Sequence, residues 1–148
     1  MELKTKVAAE DGRHDLTITR EFDLPVELLF KAYTEPEHIE QWMGTKVLKL
    51  VNEKHGGFQF ETTDPKGNKY RFNGAIHEFI ADKKITRTFE FENMPFDVQL
   101  EFLEFENLQT IPASSTYTLF TAQLSIATVC CKCRLNKVLI WPITIYRR

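Results

Sequence analysis

The densest chemistry-bearing grouping in the chain is the run Cys130, Cys131 and Cys133. A structural zinc site takes four ligands in two separated pairs, and the sequence holds no second pair. Adjacent cysteines also suit disulfide geometry poorly. The histidines, His14, His38, His55 and His77, are scattered over turns, a helix and a strand, with no pair at i, i+4 spacing. No Ser or Cys stands in a nucleophile-elbow motif. His77 has the strand parity opposite to Phe72 and Ile76, which makes it a surface residue. Glu78, Glu90, Glu92, Glu101, Glu104 and Glu106 read mostly as solvated strand faces, and no general acid–base pair stands out among them. These groups imply no catalytic residue, no metal and no cofactor.

The aromatic residues are more informative. Twelve Phe, four Tyr and two Trp are many for one small domain, and a half-buried sheet or a ligand cavity uses them better than a helical bundle does. Trp42, Phe58, Phe60, Tyr70, Phe72, Phe89 and Phe91 form the group of interest, with ordinary core packing as its plainest role. Arg20 and Arg87 fall at strand positions that share parity with apolar neighbours. Facing inward, either would meet a ligand's carboxylate or a glutamate on a neighbouring strand.

The elements that must position these residues follow from local pattern. Leu16, Ile18, Arg20 and Phe22 alternate with polar neighbours, so Asp15–Phe22 is a strand. Pro25 suits a first helical turn, and Val26, Leu29, Phe30 and Tyr33 follow at helical spacing. The pattern predicts a short helix over Pro25–Tyr33. Thr34 is expected to cap a second helix that carries Pro36 early, buries Ile39, Trp42 and Met43, and ends at Gly44. A meander follows. Val47–Asn52 is apolar enough for a strand, Gly56-Gly57 turns, and Phe58 and Phe60 alternate with Gln59 and Glu61. Asp64-Pro65-Lys66-Gly67-Asn68 is a strong turn. Tyr70, Phe72, Gly74 and Ile76 share one face of a long strand. Ile85, Arg87, Phe89 and Phe91 alternate in the next, and Val98, Leu100 and Phe102 start another. Strands joined by short turns, with helices only near the start, indicate an antiparallel α+β domain.

At 148 residues the chain fits a single domain, 1–148. Its net charge of −2 gives no electrostatic reason to expect nucleic acid. No run reaches the roughly 18–20 apolar residues of a membrane span, and Met1 to Asp15 lacks the apolar core of a signal peptide, so a cytoplasmic location is expected. Charge is unevenly spread. Residues 1–108 hold all 21 acidic residues and 14 of the 19 Lys and Arg, a balance of −7, whereas 109–148 hold five basic residues and no acid. A shift that abrupt marks a boundary or a tail. The chain therefore divides into an arm (1–14), a body (15–108) and an atypical tail (109–148).

Leu16–Gly44 reads L-T-I-T-R-E-F-D-L-P-V-E-L-L-F-K-A-Y-T-E-P-E-H-I-E-Q-W-M-G. An Arg before a short acidic spacer and Pro, a helix, then Thr-Glu-Pro-Glu and a Trp together resemble the opening of the START-like (SRPBCC, birch-pollen-allergen-like) superfamily. The resemblance is to its activator-of-heat-shock-protein-ATPase-homologue family. Gly56-Gly57-Phe58 and Gly74-Ala75-Ile76-His77-Glu78 continue it in register, as far as about Leu108. The resemblance implies a helix-grip fold: an antiparallel sheet of about six or seven strands, two short N-terminal helices, and a long C-terminal helix gripped by the sheet. It also implies a cavity whose lining would be Trp42, Phe58, Phe60, Tyr70, Phe72, Phe89, Phe91, Arg20 and Arg87.

Gln109–Arg148 departs from the family, and Pro112 and Pro142 sit awkwardly for a long helix. A shifted reading frame accounts for this. Each shifted codon has two bases fixed by the next observed residue and one base free. Leu119 onward then yields F-Y-R-S-V-E-H-C-D-R-V-L-Q-M-P-F-E-Q-G, which is similar to the missing family helix. A frame change near Leu108–Gln109 is the expectation, and sequencing the gene tests it. With this tail present, Leu119–Val129 would supply the last strand while the helix is lost. Much of a sheet face would then lie uncovered, at roughly 25 cal/mol per Å² of apolar area, which favours low solubility, homodimerisation or strand swapping.

Three functions follow from the resemblance, in order. The first is binding of a hydrophobic or amphipathic small molecule in a cavity between sheet and helices. The second is a stress-response or chaperone-assisting role with a protein partner. The third, a cyclase- or hydrolase-type enzyme, ranks last because no catalytic constellation stands out.

Overall fold

The computed structural model describes residues 5–9, 15–92, 98–109 and 116–126. Side chains of residues 5, 9, 109, 116–120 and 122–126 are not among those described. The elements run β1 (Thr5–Ala9), β2 (Asp15–Phe22), α1 (Val26–Thr34), α2 (Pro36–Met43), β3 (Thr45–Leu50), β4 (Gly57–Thr63), β5 (Lys69–Ile80), β6 (Lys84–Phe91), β7 (Gln99–Gln109) and β8 (Thr116–Ile126). Among the described residues the strands form one antiparallel sheet in the order β1-β2-β8-β7-β6-β5-β4-β3. The fold is α+β helix-grip, as expected, with eight strands here. The added strand is β1, which falls in the stretch read from sequence as an arm. The long C-terminal helix and most of the atypical tail lie outside the described residues, as does the Cys130, Cys131 and Cys133 run. β8 falls three residues ahead of the expected last strand at Leu119, and residues 127–129 lie beyond the description.

The helices are set by two prolines and a glycine. Pro25 is the N-cap of α1, and its carbonyl accepts from the backbone N–H of Leu28 and Leu29, both at 3.1 Å. Thr34 does not cap α2. It closes α1 instead, its hydroxyl donating to the Phe30 carbonyl at 2.9 Å. Pro36 disfavours helical backbone in the residue before it, so Glu35 is extended (φ −94°, ψ 126°) and becomes the N-cap. Gly44 ends α2 at φ 62°, a left-handed conformation that glycine adopts without Cβ strain.

β3 begins two residues before the expected strand and stops short of Asn52, whose side-chain amide donates to the Thr34 carbonyl at 2.6 Å and ties this loop to the end of α1. The Asp64–Asn68 turn is closed by Asp64, whose Oδ1 accepts the N–H of Lys66 at 2.9 Å and of Asn68 at 2.8 Å. α1 packs on the sheet, and α2 packs on α1 and β3. Phe30 meets Phe105 and Phe79 edge-on at 5.2 and 5.5 Å, and Tyr33 meets Phe105 at 5.5 Å.

Candidate functional site

Paired residues in an antiparallel sheet share a face, so register decides which side chains gather. Phe58 pairs with Gly74, Phe60 with Phe72, and Thr62 with Tyr70. Phe72 pairs with Phe91 and Ile76 with Arg87. Arg87 then pairs with Glu101, Phe89 with Gln99, and Ile85 with Leu103. At the far side Arg20 pairs with Phe120, which pairs with Phe105. Eight of the nine residues expected to line a site therefore share the face that the helices cap. The exception is Trp42. It belongs to the helix layer, where its ring lies 5.0 Å from Tyr33 and its indole N–H donates to the Ala32 carbonyl, binding α2 to α1.

Five phenylalanines form a continuous series on this face. Ring centroids lie 5.1 Å apart for Phe58–Phe60, 5.4 Å for Phe60–Phe72, 5.1 Å for Phe72–Phe89 and 5.0 Å for Phe89–Phe91. These spacings suit edge and offset aromatic contacts. Gly74 makes the series possible. A Cβ there would fall 1.8 Å from the Thr88 carbonyl oxygen and 2.7 Å from the Phe58 ring, so only a residue without one fits. Tyr70 sits at the margin, half-buried, with its hydroxyl 3.3 Å from Asp64.

Arg87 interrupts the aromatic face with charge. Its guanidinium lies over the Phe58 ring at 4.8 Å, and its Nε–H donates to Glu101 Oε2 at 2.8 Å. Gln99 donates to the other Glu101 oxygen at 3.0 Å. The Arg87 and Glu101 side chains are only 15% and 9% exposed, so water does little to screen the pair. Of the two partners open to Arg87 in the sequence, the neighbouring glutamate is the one it takes. Arg20 is also buried, with its guanidinium 5.1 Å from the Phe22 ring.

Glu101 corrects a sequence expectation. Its glutamate neighbours at 104 and 106 are exposed as expected, but Glu101 and Gln99 are buried on the inner face. In β7 the buried parity is Gln99, Glu101, Leu103 and Phe105, while Val98 is 47% exposed and Leu100 and Phe102 are half-buried. The signal that would have found Glu101 was the inward Arg on the adjacent strand, which needs an acid across from it.

The opposite face carries ion pairs alongside Leu100 and Phe102. Glu61 takes an N–H from Arg71 at 2.8 Å and lies 3.2 Å from Lys69. Arg71 first and Lys69 second hold its carboxyl below the usual range. Glu78 is held low by Lys84, helped by Thr86. Asp64 is held low by the Asn68 side-chain amide and by the backbone N–H groups of the turn. His77 is exposed, as expected. Among the described residues no three His, Cys, Asp or Glu cluster to hold a metal, and no helix is long and apolar enough to cross a membrane.

A capped antiparallel sheet with an aromatic inner face defines a helix-grip protein of the START-like class. The family profile described as "Activator of Hsp90 ATPase homolog 1-like protein" matches residues 23–124, and the chain belongs to that family. The match runs past Leu108 and takes in most of β8. No curated protein matches the chain. Among solved structures, one protein of Mycobacterium smegmatis aligns with a TM-score of 0.72 at 20% identity, covering 97% of this chain and 88% of its own. An Arthrobacter aurescens protein aligns at 0.73 and 17% identity, covering 83% and 74%. A Plasmodium falciparum protein described as an HSP90 activator aligns at 0.59 and 19% identity, covering 76% and 73%. At such identities these neighbours establish the fold alone.

Proposed function

We propose that this chain binds a hydrophobic or amphipathic small molecule, such as a lipid, polyketide-like or aromatic compound, between the sheet and its helices. The observation that carries the reading is the composition of one sheet face: five contiguous Phe rings with the polar Arg87–Glu101–Gln99 cluster beside them. Ligand sites are mostly apolar walls with a few placed polar groups, and this face has that composition. Because Glu101 already accepts from Arg87, the cluster favours a neutral polar tip on the ligand over a carboxylate. Native mass spectrometry of gently purified protein, with titration of the apolar dye anilinonaphthalene sulfonate, tests it. One adduct per chain and saturable dye binding weakened by Phe72→Ala are expected. No adduct together with non-saturable dye binding would sink the reading.

A second reading is a chaperone-assisting interaction domain. Family membership and the Plasmodium neighbour's description favour it, as do Leu48 and Val51, which expose 40% and 37% near one sheet edge. Its check is the ATP hydrolysis rate of a purified Hsp90 with and without the chain; an unchanged rate removes it.

A further inference from the structure

The aromatic face ends, where β3 begins, in a row of hydroxyls. Thr45 pairs with Thr62, and Thr62 with Tyr70, one row beyond the inner-face row of Val47, Phe60 and Phe72. Thr45 and Thr62 are only 4% and 5% exposed. α2 runs through Gly44 directly into β3 and packs on that strand, so Thr45 sits where the helix layer meets the sheet. Directly opposed threonines can hydrogen-bond each other across a strand pair. Here the Thr45 hydroxyl has no hydrogen-bond partner among the described residues. A buried hydroxyl left unbonded loses its water without return, and a group of this kind in a folded protein calls for an explanation.

We propose that Thr45, with Thr62 beside it, seats the neutral oxygen of the bound molecule, whose apolar body lies toward Phe60 and Phe72. The inference rests on the ligand-binding reading above and adds which end of the site reads the polar group. A hydroxyl both donates and accepts, so it suits an alcohol, ketone or ester oxygen. Arg87 already has Glu101 as its partner, whereas Thr45 has a hydroxyl to spare. An anion fits this end poorly. Tyr70 brings a carboxylate to it, its hydroxyl lying 3.3 Å from Asp64, and a second negative charge would lose water beside the first. The ligand class is therefore a neutral oxygenated amphipath rather than a fatty acid.

Isothermal titration calorimetry of the full chain with naphthol, naphthalene and naphthoate tests this, because the three share a ring system and differ in the polar group. Naphthol is expected to bind about three- to ten-fold tighter than naphthalene, the effect of one neutral hydrogen bond, and tighter than naphthoate. Thr45→Val keeps the shape of the side chain and removes its hydroxyl. It should bring naphthol down to the affinity of naphthalene, leave naphthalene unchanged, and melt at or above the wild-type temperature. Thr45→Ser keeps the hydroxyl and should keep the preference for naphthol. Naphthalene binding with no preference for naphthol, or a preference that survives Thr45→Val, overturns the proposal and leaves the ligand-binding reading standing. A Thr45→Val variant that melts well below wild type gives the hydroxyl a structural role and also overturns it. Failure of all three compounds to bind sinks the ligand-binding reading itself, and this proposal with it.

Discussion

Replacing Arg87 with Met should cost this protein about 3 kcal/mol of stability, and the reason lies in what is left behind. Arg87 donates its Nε–H to Glu101 at 2.8 Å, and the two side chains are 15% and 9% exposed. Removing the cation leaves a buried carboxylate with Gln99 as its described hydrogen-bond donor. Breaking a buried pair from one side typically costs about 3–5 kcal/mol, because a charge is stranded rather than merely unpaired. Met restores part of the contact that the guanidinium makes with Phe58 at 4.8 Å, which puts the value at the low end. The double variant Arg87→Met/Glu101→Leu removes both charges and should return to within about 1 kcal/mol of wild type. Urea unfolding followed by tryptophan fluorescence, at concentrations low enough to keep the chain monomeric, gives both numbers. The single variant should also melt roughly 6–12 °C lower. A single variant within about 1 kcal/mol of wild type, or a double variant as unstable as the single, would refute the assignment of Glu101 to a buried pair.

Three further outcomes follow from the same geometry. Gly74→Ala should destabilise by about 1–3 kcal/mol in the same urea experiment, because the new Cβ meets the Thr88 carbonyl at 1.8 Å and the backbone must shift. Trp42→Phe keeps a ring contact with Tyr33 but removes the indole donor to Ala32, so a loss of about 1 kcal/mol is expected, read by thermal unfolding under circular dichroism. Acid unfolding should reflect Glu61, Asp64 and Glu78, whose carboxyls lie below their ordinary values of 4.5, 3.8 and 4.5 in the fold. Their contribution is present above those values and is lost as the pH falls through the lower folded ones, so stability should hold near neutrality and decline below about pH 4.5. Glu61→Gln should flatten that decline; an unchanged acid limb would count against the Arg71 and Lys69 pairing.

What the sequence determined by itself was local. Asp15–Phe22 is a strand with the expected bounds, because Leu16, Ile18 and Phe22 alternate over enough residues to leave no competing pattern. The Asp64–Asn68 turn and the αL stop at Gly44 came from side chains that act within a few residues of themselves. Alternation also placed Phe72 and Ile76 on one face of β5 with His77 on the other, and brought Phe58, Phe60, Phe89 and Phe91 to that first face. The tertiary structure decided what depended on a neighbour. Both parities of β7 carry apolar residues, so only pairing with β6 and cover by Phe30 and Tyr33 selected Leu103 and Phe105 as core and drew Gln99 and Glu101 in with them. Helical spacing put Trp42 on the buried side of α2, and the tertiary structure decided its partners, since the indole N–H found its acceptor at Ala32 of α1. β1, read from sequence as part of an arm, became a strand by hydrogen-bonding to β2. Periodicity fixes which residues can share a face, whereas the energy of burying a charge depends on a partner that only the folded sheet brings within reach.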